Sequence, residues 1–214
     1  MKVLVVGANG GTGRHILRML GQSNDHQAVA MIRDITQSAK LEEFGISETV
    51  LADLEDEVDH AVEGCDAILF AAGSGSKTGP EKTITVDQEG AIKLIKAAEN
   101  HGVKRFVMLS TVGADDPEYG SESMRHYFEA KKKADDVLRG SSLTYTIVRP
   151  GRLSYEAGIG KIRAAEKLDD YSGDIPREDV ARVMIESLTL ENTYGKAFEF
   201  LSGDNDIVKA LKSL

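Results

Sequence analysis

Residues 3–13 read VLVVGANGGTG, an apolar run that passes directly into a glycine-rich turn. Gly7, Gly10 and Gly13 form a G-x-x-G-x-x-G pattern, and an apolar helical stripe begins at Ile16. In such a strand–turn–helix unit, the first glycine permits the tight turn and the second lets the backbone approach a pyrophosphate. The third lets the helix pack closely against the strand. The stretch predicts a dinucleotide-binding turn, and a glycine-rich turn without a ligand is the alternative.

The predicted nucleotide contacts begin in this turn, where free N–H groups and the positive end of the helix dipole favour phosphate. The contacts expected there are Gly7, Asn9, Gly10, Gly11, Thr12, Gly13 and Arg14. After the third predicted strand, Asp53 can accept a hydrogen bond from the adenine amino group and Leu54 can cover the ring.

The end of the second predicted strand distinguishes between the two nicotinamide cofactors. An acid there would hold the ribose 2′-hydroxyl of NAD, whereas an arginine would pair with the 2′-phosphate of NADP. Both residue types stand side by side, as Arg33 and Asp34. Arg33 lies 20 residues after Gly13 and directly follows the apolar run, so the sequence favours NADP and leaves NAD open. The alternative role for Arg33 is a solvated loop cation.

Short apolar runs alternate with helical patterns along the rest of the chain, which is typical of a parallel α/β sheet. The predicted strands are Val3–Val6, Ala28–Ile32, Thr49–Ala52, Ala67–Ala71, Phe106–Leu109, Tyr145–Val148 and Ala197–Leu201. Predicted helices cover 86–98 and 123–139. A third has Pro176 near its first turn and an apolar stripe from Val180 to Leu188. The segments 73–82 and 151–173 are predicted to be long loops. We therefore predict one Rossmann-type domain over 1–214, a doubly wound sheet of about seven strands with helices on both faces. The region 151–175 would lie on the substrate side.

Composition and charge exclude several classes of function. The 214 residues are 41% hydrophobic, and 26 basic against 35 acidic side chains leave a net charge of −9. Such a balance disfavours nucleic acid and anionic membranes, which both require an excess of basic side chains. No run approaches the ~20 apolar residues of a membrane span. A single cysteine, Cys65, and the lack of a signal-peptide pattern predict a cytoplasmic protein.

Tyr127 and Lys131 have the spacing Y-x-x-x-K on a predicted helix. Residues four apart share one helical face, so the ammonium lies near the phenol. The cation would stabilise the phenolate and lower the pKa of Tyr127, which suits proton transfer to or from a carbonyl oxygen. Taken alone, the pattern equally describes a packed tyrosine beside a surface lysine.

The motifs together resemble the short-chain dehydrogenase/reductase superfamily, in particular its short, atypical NAD(P)-binding subgroup related to NAD-dependent epimerase/dehydratases. The resemblance runs in order from residue 1 to about 200. Its segments are GANGGTG at 7–13, AMIRD at 30–34, ADLED at 52–56, FAAGSGSKTG at 70–79, VDQEGA at 86–91, KRFVMLSTVGADDPE at 104–118, HYFEAKKKAD at 126–135, LTYTIVRPGRL at 143–153 and IPREDVA at 175–181.

The resemblance implies a role for each matching residue. Tyr127 would be the general acid/base, and Lys131 would lower its pKa while binding the nicotinamide ribose. A hydroxyl after the fifth strand, Thr111 or less favourably Ser110, would polarise the substrate oxygen. The remaining cofactor contacts would be Ala71, Ala72 and Gly73 along the adenine-side ribose, and Pro150 and Gly151 against the nicotinamide carboxamide.

One position departs from the superfamily pattern. Asp87 stands where an asparagine is usual, three residues before Gly90. An acid there can still accept a hydrogen bond, so Asp87 joins the candidate catalytic set. No histidine has metal-ligand spacing, and we predict no metal.

The sequence thus predicts an NADP-dependent oxidoreductase that transfers hydride between nicotinamide and a small carbonyl or alcohol substrate. A non-catalytic NADP(H)-binding sensor or regulator is one alternative, and an epimerase/dehydratase is another. The short region after Pro150 disfavours a nucleotide-sugar substrate. A monomer and a homodimer are both compatible with the sequence.

Overall fold

The computed structural model describes residues 1–75, 78–118 and 121–214, and nine strands of these residues form one sheet. In chain order, the strands of the described residues are β1 (Lys2–Val6), β2 (Gln27–Ile32), β3 (Glu48–Leu51), β4 (Ala67–Phe70), β5 (Arg105–Leu109), β6 (Thr144–Pro150), β7 (Arg152–Ser154), β8 (Lys161–Ala165), β9 (Asp174–Pro176), β10 (Lys196–Ser202) and β11 (Asn205–Asp206). The sheet order is β11-β8-β10-β6-β5-β4-β1-β2-β3, and β7 pairs with β9 separately.

The sheet confirms the predicted Rossmann-type architecture. The strands from β3 across to β10 are all parallel, and β8 and β11 extend the β10 edge in antiparallel pairs. All seven predicted strands are present, as β1–β6 and β10. The prediction of a long loop over 151–173 is wrong, because β7 and β8 lie within it.

Helices cover both faces of the sheet. The α-helices of the described residues are α1 (Gly11–Leu20), α2 (Ser38–Glu42), α3 (Asp59–Val62), α4 (Pro80–Lys82), α5 (Ala91–Asn100), α6 (Arg125–Arg139), α7 (Arg177–Glu186) and α8 (Ile207–Lys212). A π-helical segment, Thr83–Gly90, joins α4 to α5, and short 3₁₀ turns lie at Ile35–Gln37, Glu122–Met124 and Glu191–Thr193. The helices predicted over 86–98 and 123–139 are therefore confirmed. The loop predicted over 73–82 ends earlier, since α4 begins at Pro80; Ser76 and Lys77 of that loop lie outside the described residues.

The core has two layers because successive side chains of a strand point to opposite faces of the sheet. Val3 and Val5 belong to the apolar cluster beneath α1 and α7, whereas Leu4 and Val6 belong to the cluster beneath α5 and α6. Cys65 is buried in the second layer as a free thiol. Within the described part of the chain, no helix combines the length and the apolar character needed to span a bilayer.

The first helix packs unusually closely on the first strand. A Cβ built on Gly13 would collide with the carbonyl oxygen of Gly7 and lie 3.0 Å from the Cα of Ala8. Gly7 itself has a φ of +83°, a conformation that favours glycine. The start of α1 can therefore take this position only because Gly7 and Gly13 have no side chain.

Replacing Gly13 by Ala is expected to reduce the free energy of unfolding by about 1–3 kcal/mol, because the added methyl group forces α1 away from β1. Gly140→Ala is the matched control, since Gly140 has a helical φ of −83° and an added Cβ there makes only ordinary contacts. The control should be neutral or slightly stabilised. Denaturant unfolding of the two variants measures the difference, and equal stability would contradict this packing.

Candidate active site

The glycine turn at the end of β1 leaves backbone donors available for an anion. The amide of Gly10 donates to the carbonyl of Gly7 at 2.9 Å, and α1 then begins at Gly11. The N–H groups of residues 11–13 donate to no acceptor among the described residues, and the first turn of α1 carries no acid. A Cβ on Gly7 would lie 2.6 Å from the backbone nitrogen of Ala72, so the end of β4 closes the turn from one side. These features fit a bound diphosphate.

Two side chains that we did not predict lie over the mouth of this turn. A Cβ built on Gly11 would lie 2.7 Å from Cδ and 2.8 Å from Nε of Arg177, and 3.6 Å from Cε1 of Tyr155. The guanidinium carbon of Arg177 lies 4.0 Å from the centre of the Tyr155 ring. Arg177 is in the segment IPREDVA, which carried the resemblance, but nothing in its local pattern indicated a contact 166 residues away in sequence.

Arg14 and Arg33 are the two basic side chains of the predicted nucleotide contacts near the turn. Arg14 donates from Nε and Nη2 to Oδ1 of Asn9, at 3.0 and 2.6 Å. Arg33 follows β2 and is exposed. The adjacent Asp34 turns its carboxylate onto the N–H and hydroxyl of Thr36, at 2.8 Å each, and these bonds lower the pKa of Asp34. Arg33 therefore remains the more available of the two candidate groups.

The residues predicted for the adenosine half line the ends of β3 and β4. Asp53 accepts from the Glu55 amide through Oδ1 at 3.1 Å, and no described residue donates to its Oδ2. Leu54 is only 6% exposed and packs against Gly90, so it offers little surface to an adenine ring. Ala71 and Ala72 are half-buried beside the turn and Gly73 is exposed.

Tyr127 and Lys131 lie on α6, and Lys131 reaches the end of β5. Nζ of Lys131 is 3.2 Å from Oδ1 of Asp87 and donates to the carbonyl of Leu109 at 3.3 Å. The ammonium is 5.8 Å from the centre of the Tyr127 ring. Lys131 and Asp87 are 4% and 1% exposed, whereas Tyr127 is half-buried and its hydroxyl makes no hydrogen bond to a described residue. The phenol is therefore available to a ligand, and the lysine is held behind it.

The π-helical segment brings Asp87 to this point. π-helical turns are rare and often occur at functional sites. The other carboxylate oxygen of Asp87 accepts from the Ser74 amide at 2.9 Å, which links the helix to the loop after β4. The hydroxyls of Ser74 and Thr83 lie 3.3 Å apart and add a second link. Asp87 thus connects the loop after β4 with Lys131 on α6.

The balance of charges around Tyr127 differs from our prediction. Burial raises the pKa of Tyr127 and Lys131 lowers it, but Asp87 and Asp135 add to the upward shift. The predicted lowering of the Tyr127 pKa is therefore wrong, because the spacing of Tyr127 and Lys131 does not reveal that two acids lie nearby. For Lys131, burial lowers the pKa, but Asp87, Tyr127 and Asp135 together raise it above its ordinary value. The ammonium remains charged at neutral pH.

The two candidate hydroxyls after β5 have different surroundings. Ser110 is 3% exposed and donates to Oδ2 of Asp135 at 2.8 Å. That carboxylate also accepts from Arg149 at 2.8 Å, and Arg149 in turn binds Asp115, whose pKa falls to about 2 mainly because of this bond. Thr111 is half-buried, and its hydroxyl bonds to no described residue. Ser110 thus belongs to a buried ion-pair network, and Thr111 has the available hydroxyl.

The last two predicted contacts lie at the end of β6. Pro150 is buried, and the carbonyl of Pro150 accepts from the Val112 amide at 3.1 Å. The Gly151 amide donates to the carbonyl oxygen of Phe200 at 3.1 Å, and a Cβ on Gly151 would collide with the side chain of Leu201. Close packing against β10 therefore already explains a glycine at this position.

The chain matches the model of a family described as NAD(P)H-binding over residues 7–191. It belongs to that NAD(P)H-binding family. It is 46% identical, over all of both chains, to a Bacillus subtilis strain 168 protein named "Uncharacterized sugar epimerase YhfK". It is 48% identical to a Bacillus halodurans protein classed as an NAD-dependent epimerase/dehydratase, with full coverage of both chains and a TM-score of 0.96. The Lactococcus lactis oxidoreductase ylbE is 32% identical, with a TM-score of 0.87 and coverage of 100% of this chain and 96% of the other.

These relatives confirm the resemblance to NAD(P)-binding dehydrogenases and epimerase/dehydratases. The family's cofactor fits the residues that are present, since the N–H groups of residues 11–13 at the start of α1 have no acceptor among the described residues and can bind a diphosphate. Across the described ranges, no cluster of three or more histidine, cysteine or acidic side chains is placed to hold a metal ion.

Replacing Asp87 by Asn is expected to lower the pKa of Tyr127, because it removes a negative charge that opposes the phenolate. Titration of the phenolate absorbance measures the change, with Tyr127→Phe to assign the signal. Asp25→Asn, which alters an exposed acid outside this site, should leave the titration unchanged. An unaltered Tyr127 pKa in the Asp87 variant would contradict the charge balance described above.

Proposed function

We propose that this protein is an NADP-dependent oxidoreductase that acts on a small carbonyl or alcohol substrate. The observation that carries the proposal is the half-buried Tyr127 phenol, with its hydroxyl free among the described residues and a buried, charged Lys131 behind it. This pair lies at the carboxyl edge of the sheet, the same edge as the glycine turn after β1. In doubly wound sheets, nucleotide and substrate meet at this edge.

The proposed roles follow from the positions of the side chains. The bound cofactor supplies or accepts a hydride at nicotinamide C4. Tyr127 exchanges the proton of its hydroxyl with the substrate oxygen, and Thr111 donates a hydrogen bond to that oxygen. Lys131 holds the nicotinamide ribose and partly offsets the cost of forming a phenolate. Asp87 holds Lys131 in place, and Ser110 supports α6 through Asp135.

The name of one relative supports this reaction class, and the names of two others support the epimerase/dehydratase alternative. The Lactococcus lactis protein is described as an oxidoreductase, and the two Bacillus proteins by names of epimerase or dehydratase type. Epimerisation or dehydration differs from the proposed reaction because it leaves no net change in the redox state of the cofactor. Consumption of NADPH by the wild-type protein with a carbonyl substrate therefore separates the two. The reducing cytoplasm, which the single buried Cys65 suits, remains the proposed location.

A second candidate, a sensor that binds NADP(H) without turnover, is favoured by the Asp87–Lys131 ion pair. The pair offsets the charge that would otherwise stabilise the Tyr127 phenolate, and the pKa of Tyr127 is raised rather than lowered. A sensor would bind NADPH and consume none with any member of a broad carbonyl panel, whereas the proposed enzyme consumes NADPH with at least one.

Tyr127→Phe is expected to reduce NADPH consumption by about 10²-fold or more, since it removes the acid that protonates the substrate oxygen. The dissociation constant for NADPH should change by less than about threefold, because the phenol is not assigned to the cofactor. Tyr145→Phe is the matched control: Tyr145 lies near the start of β6, at the opposite edge of the sheet. Steady-state kinetics and calorimetry measure the two effects, and retained turnover in Tyr127→Phe would refute the role of Tyr127.

Arg33→Ala is expected to weaken NADPH binding by about tenfold or more and to leave NADH binding nearly unchanged, because only NADPH carries the 2′-phosphate. Lys40→Ala, which removes a cation on α2 beyond the same strand, serves as the control for general loss of positive charge. Calorimetric titration with both cofactors measures the selectivity. Equal losses for NADPH and NADH would remove the basis for the NADP preference.

A further inference from the structure

Arg177 is the first residue of α7, and its side chain crosses to the first residue of α1. The distances of 2.7 and 2.8 Å from a Cβ on Gly11 place Cδ and Nε of Arg177 in the space beside the free N–H groups of the glycine turn. The residue is half-buried, so the side chain lies in the crevice between the two helices and not in bulk solvent. An arginine is therefore positioned directly at the predicted phosphate site.

Five contacts hold Arg177 and the loop beside it in position. Nη1 of Arg177 donates to the carbonyl of Ser154 at 3.0 Å, which ties the guanidinium to β7. The ring of Tyr155, the next residue, stacks on the guanidinium at 4.0 Å. The loop that follows is fixed to the start of α7, because Glu178 accepts from the Gly158 amide and both oxygens of Asp179 accept from residues 159 and 160, at 2.9–3.0 Å.

The charge of Arg177 has no acidic partner among the described residues. The adjacent acids, Glu178 and Asp179, bond to backbone N–H groups of the loop, and neither forms an ion pair with Arg177. The positive end of the α1 dipole faces the same space. Two positive groups side by side are unfavourable until an anion lies between them, and a guanidinium can bind two phosphate oxygens at once.

Tyr155 is exposed to an extent that packing does not explain. Its side chain is 85% exposed, and its ring stacks on the Arg177 guanidinium. Stacking on an aromatic ring restricts a guanidinium without occupying its N–H donors. Tyr155 therefore orients Arg177 and leaves its remaining donors available.

We propose that Arg177 binds the diphosphate of the dinucleotide from the side opposite the N–H groups of residues 11–13, with Tyr155 orienting its guanidinium. The inference rests on the nucleotide site of the proposed function but not on turnover. Arg177 then contributes to the affinity for NADPH and NADH alike. Arg33, by contrast, is assigned to the 2′-phosphate, which only NADPH carries.

The test is calorimetric binding of NADPH, NADH and adenosine 2′-monophosphate to the full chain. Arg177→Gln is expected to weaken both dinucleotides by about 10- to 100-fold and to leave adenosine 2′-monophosphate, which lacks a diphosphate, within about twofold. Arg182→Gln is the matched control, an exposed arginine on the same helix, and should change all three constants by less than about twofold. Arg177→Lys keeps the charge without the planar fork and should give an intermediate loss.

A spectroscopic arm needs neither substrate nor activity. The chain contains no tryptophan, so Tyr155→Trp provides a single reporter that preserves stacking on the guanidinium. NADPH should quench this fluorescence, and the midpoint should shift by the same 10- to 100-fold when Arg177→Gln is added. Thermal unfolding of each variant shows whether the protein is folded, and if Arg177→Gln does not fold, the Arg177→Lys titration decides.

Three results would overturn the proposal: unchanged dinucleotide affinity in Arg177→Gln, an equal loss in Arg182→Gln, or tighter binding in Arg177→Gln. The last result would mean that Arg177 occupies the phosphate position and competes with the ligand. Because every readout is binding, these results are distinct from a failure of the oxidoreductase proposal, in which dinucleotides bind normally but no carbonyl compound is reduced.

Discussion

The start of α1 is held so close to the end of β1 that Gly13 has no room for a side chain. This contact directs the free N–H groups of the helix towards the carboxyl edge of the sheet, beside the loop after β4. The parallel strands bring the end of β5 and the face of α6 to the same edge, so that Lys131 reaches the carbonyl of Leu109. The glycine turn, where we propose that phosphate binds, and the phenol–lysine pair thus share one crevice at this edge of the sheet.

The charges around this crevice are divided between two ends. On the proposed nucleotide side, Arg14 and Arg177 lie at the glycine turn and the exposed Arg33 follows β2, although the chain carries a net charge of −9. The acid next to Arg33, Asp34, accepts hydrogen bonds from the N–H and hydroxyl of Thr36. On the side proposed for catalysis, the Lys131 ammonium forms an ion pair with Asp87. The crevice therefore presents positive charge where phosphate would bind. Where the proton would move, it presents the Lys131–Asp87 ion pair, whose two charges nearly cancel.

Most of the fold could be predicted from the sequence because the parallel strands are apolar on both faces. The four strands that were not predicted contain two to five residues and are less buried than the central strands; β8, for example, holds a single buried residue in Lys161–Ala165. Local patterns predicted the glycine turn and the closeness of Lys131 to Tyr127 on one helical face. They could not reveal that Arg177 meets Gly11, that Asp135 engages Ser110, or that Asp87 and Asp135 help to raise the pKa of Tyr127. These facts depend on contacts between residues far apart in the chain.

A crystal structure of the protein with NADP bound tests the shared crevice most directly. The diphosphate should lie on the N–H groups of residues 11–13, the 2′-phosphate near Arg33, and the nicotinamide ribose on Lys131, with C4 of the ring facing the space beside the Tyr127 hydroxyl. A nucleotide bound elsewhere on the sheet, or a nicotinamide ring turned away from Tyr127, would contradict the joint site.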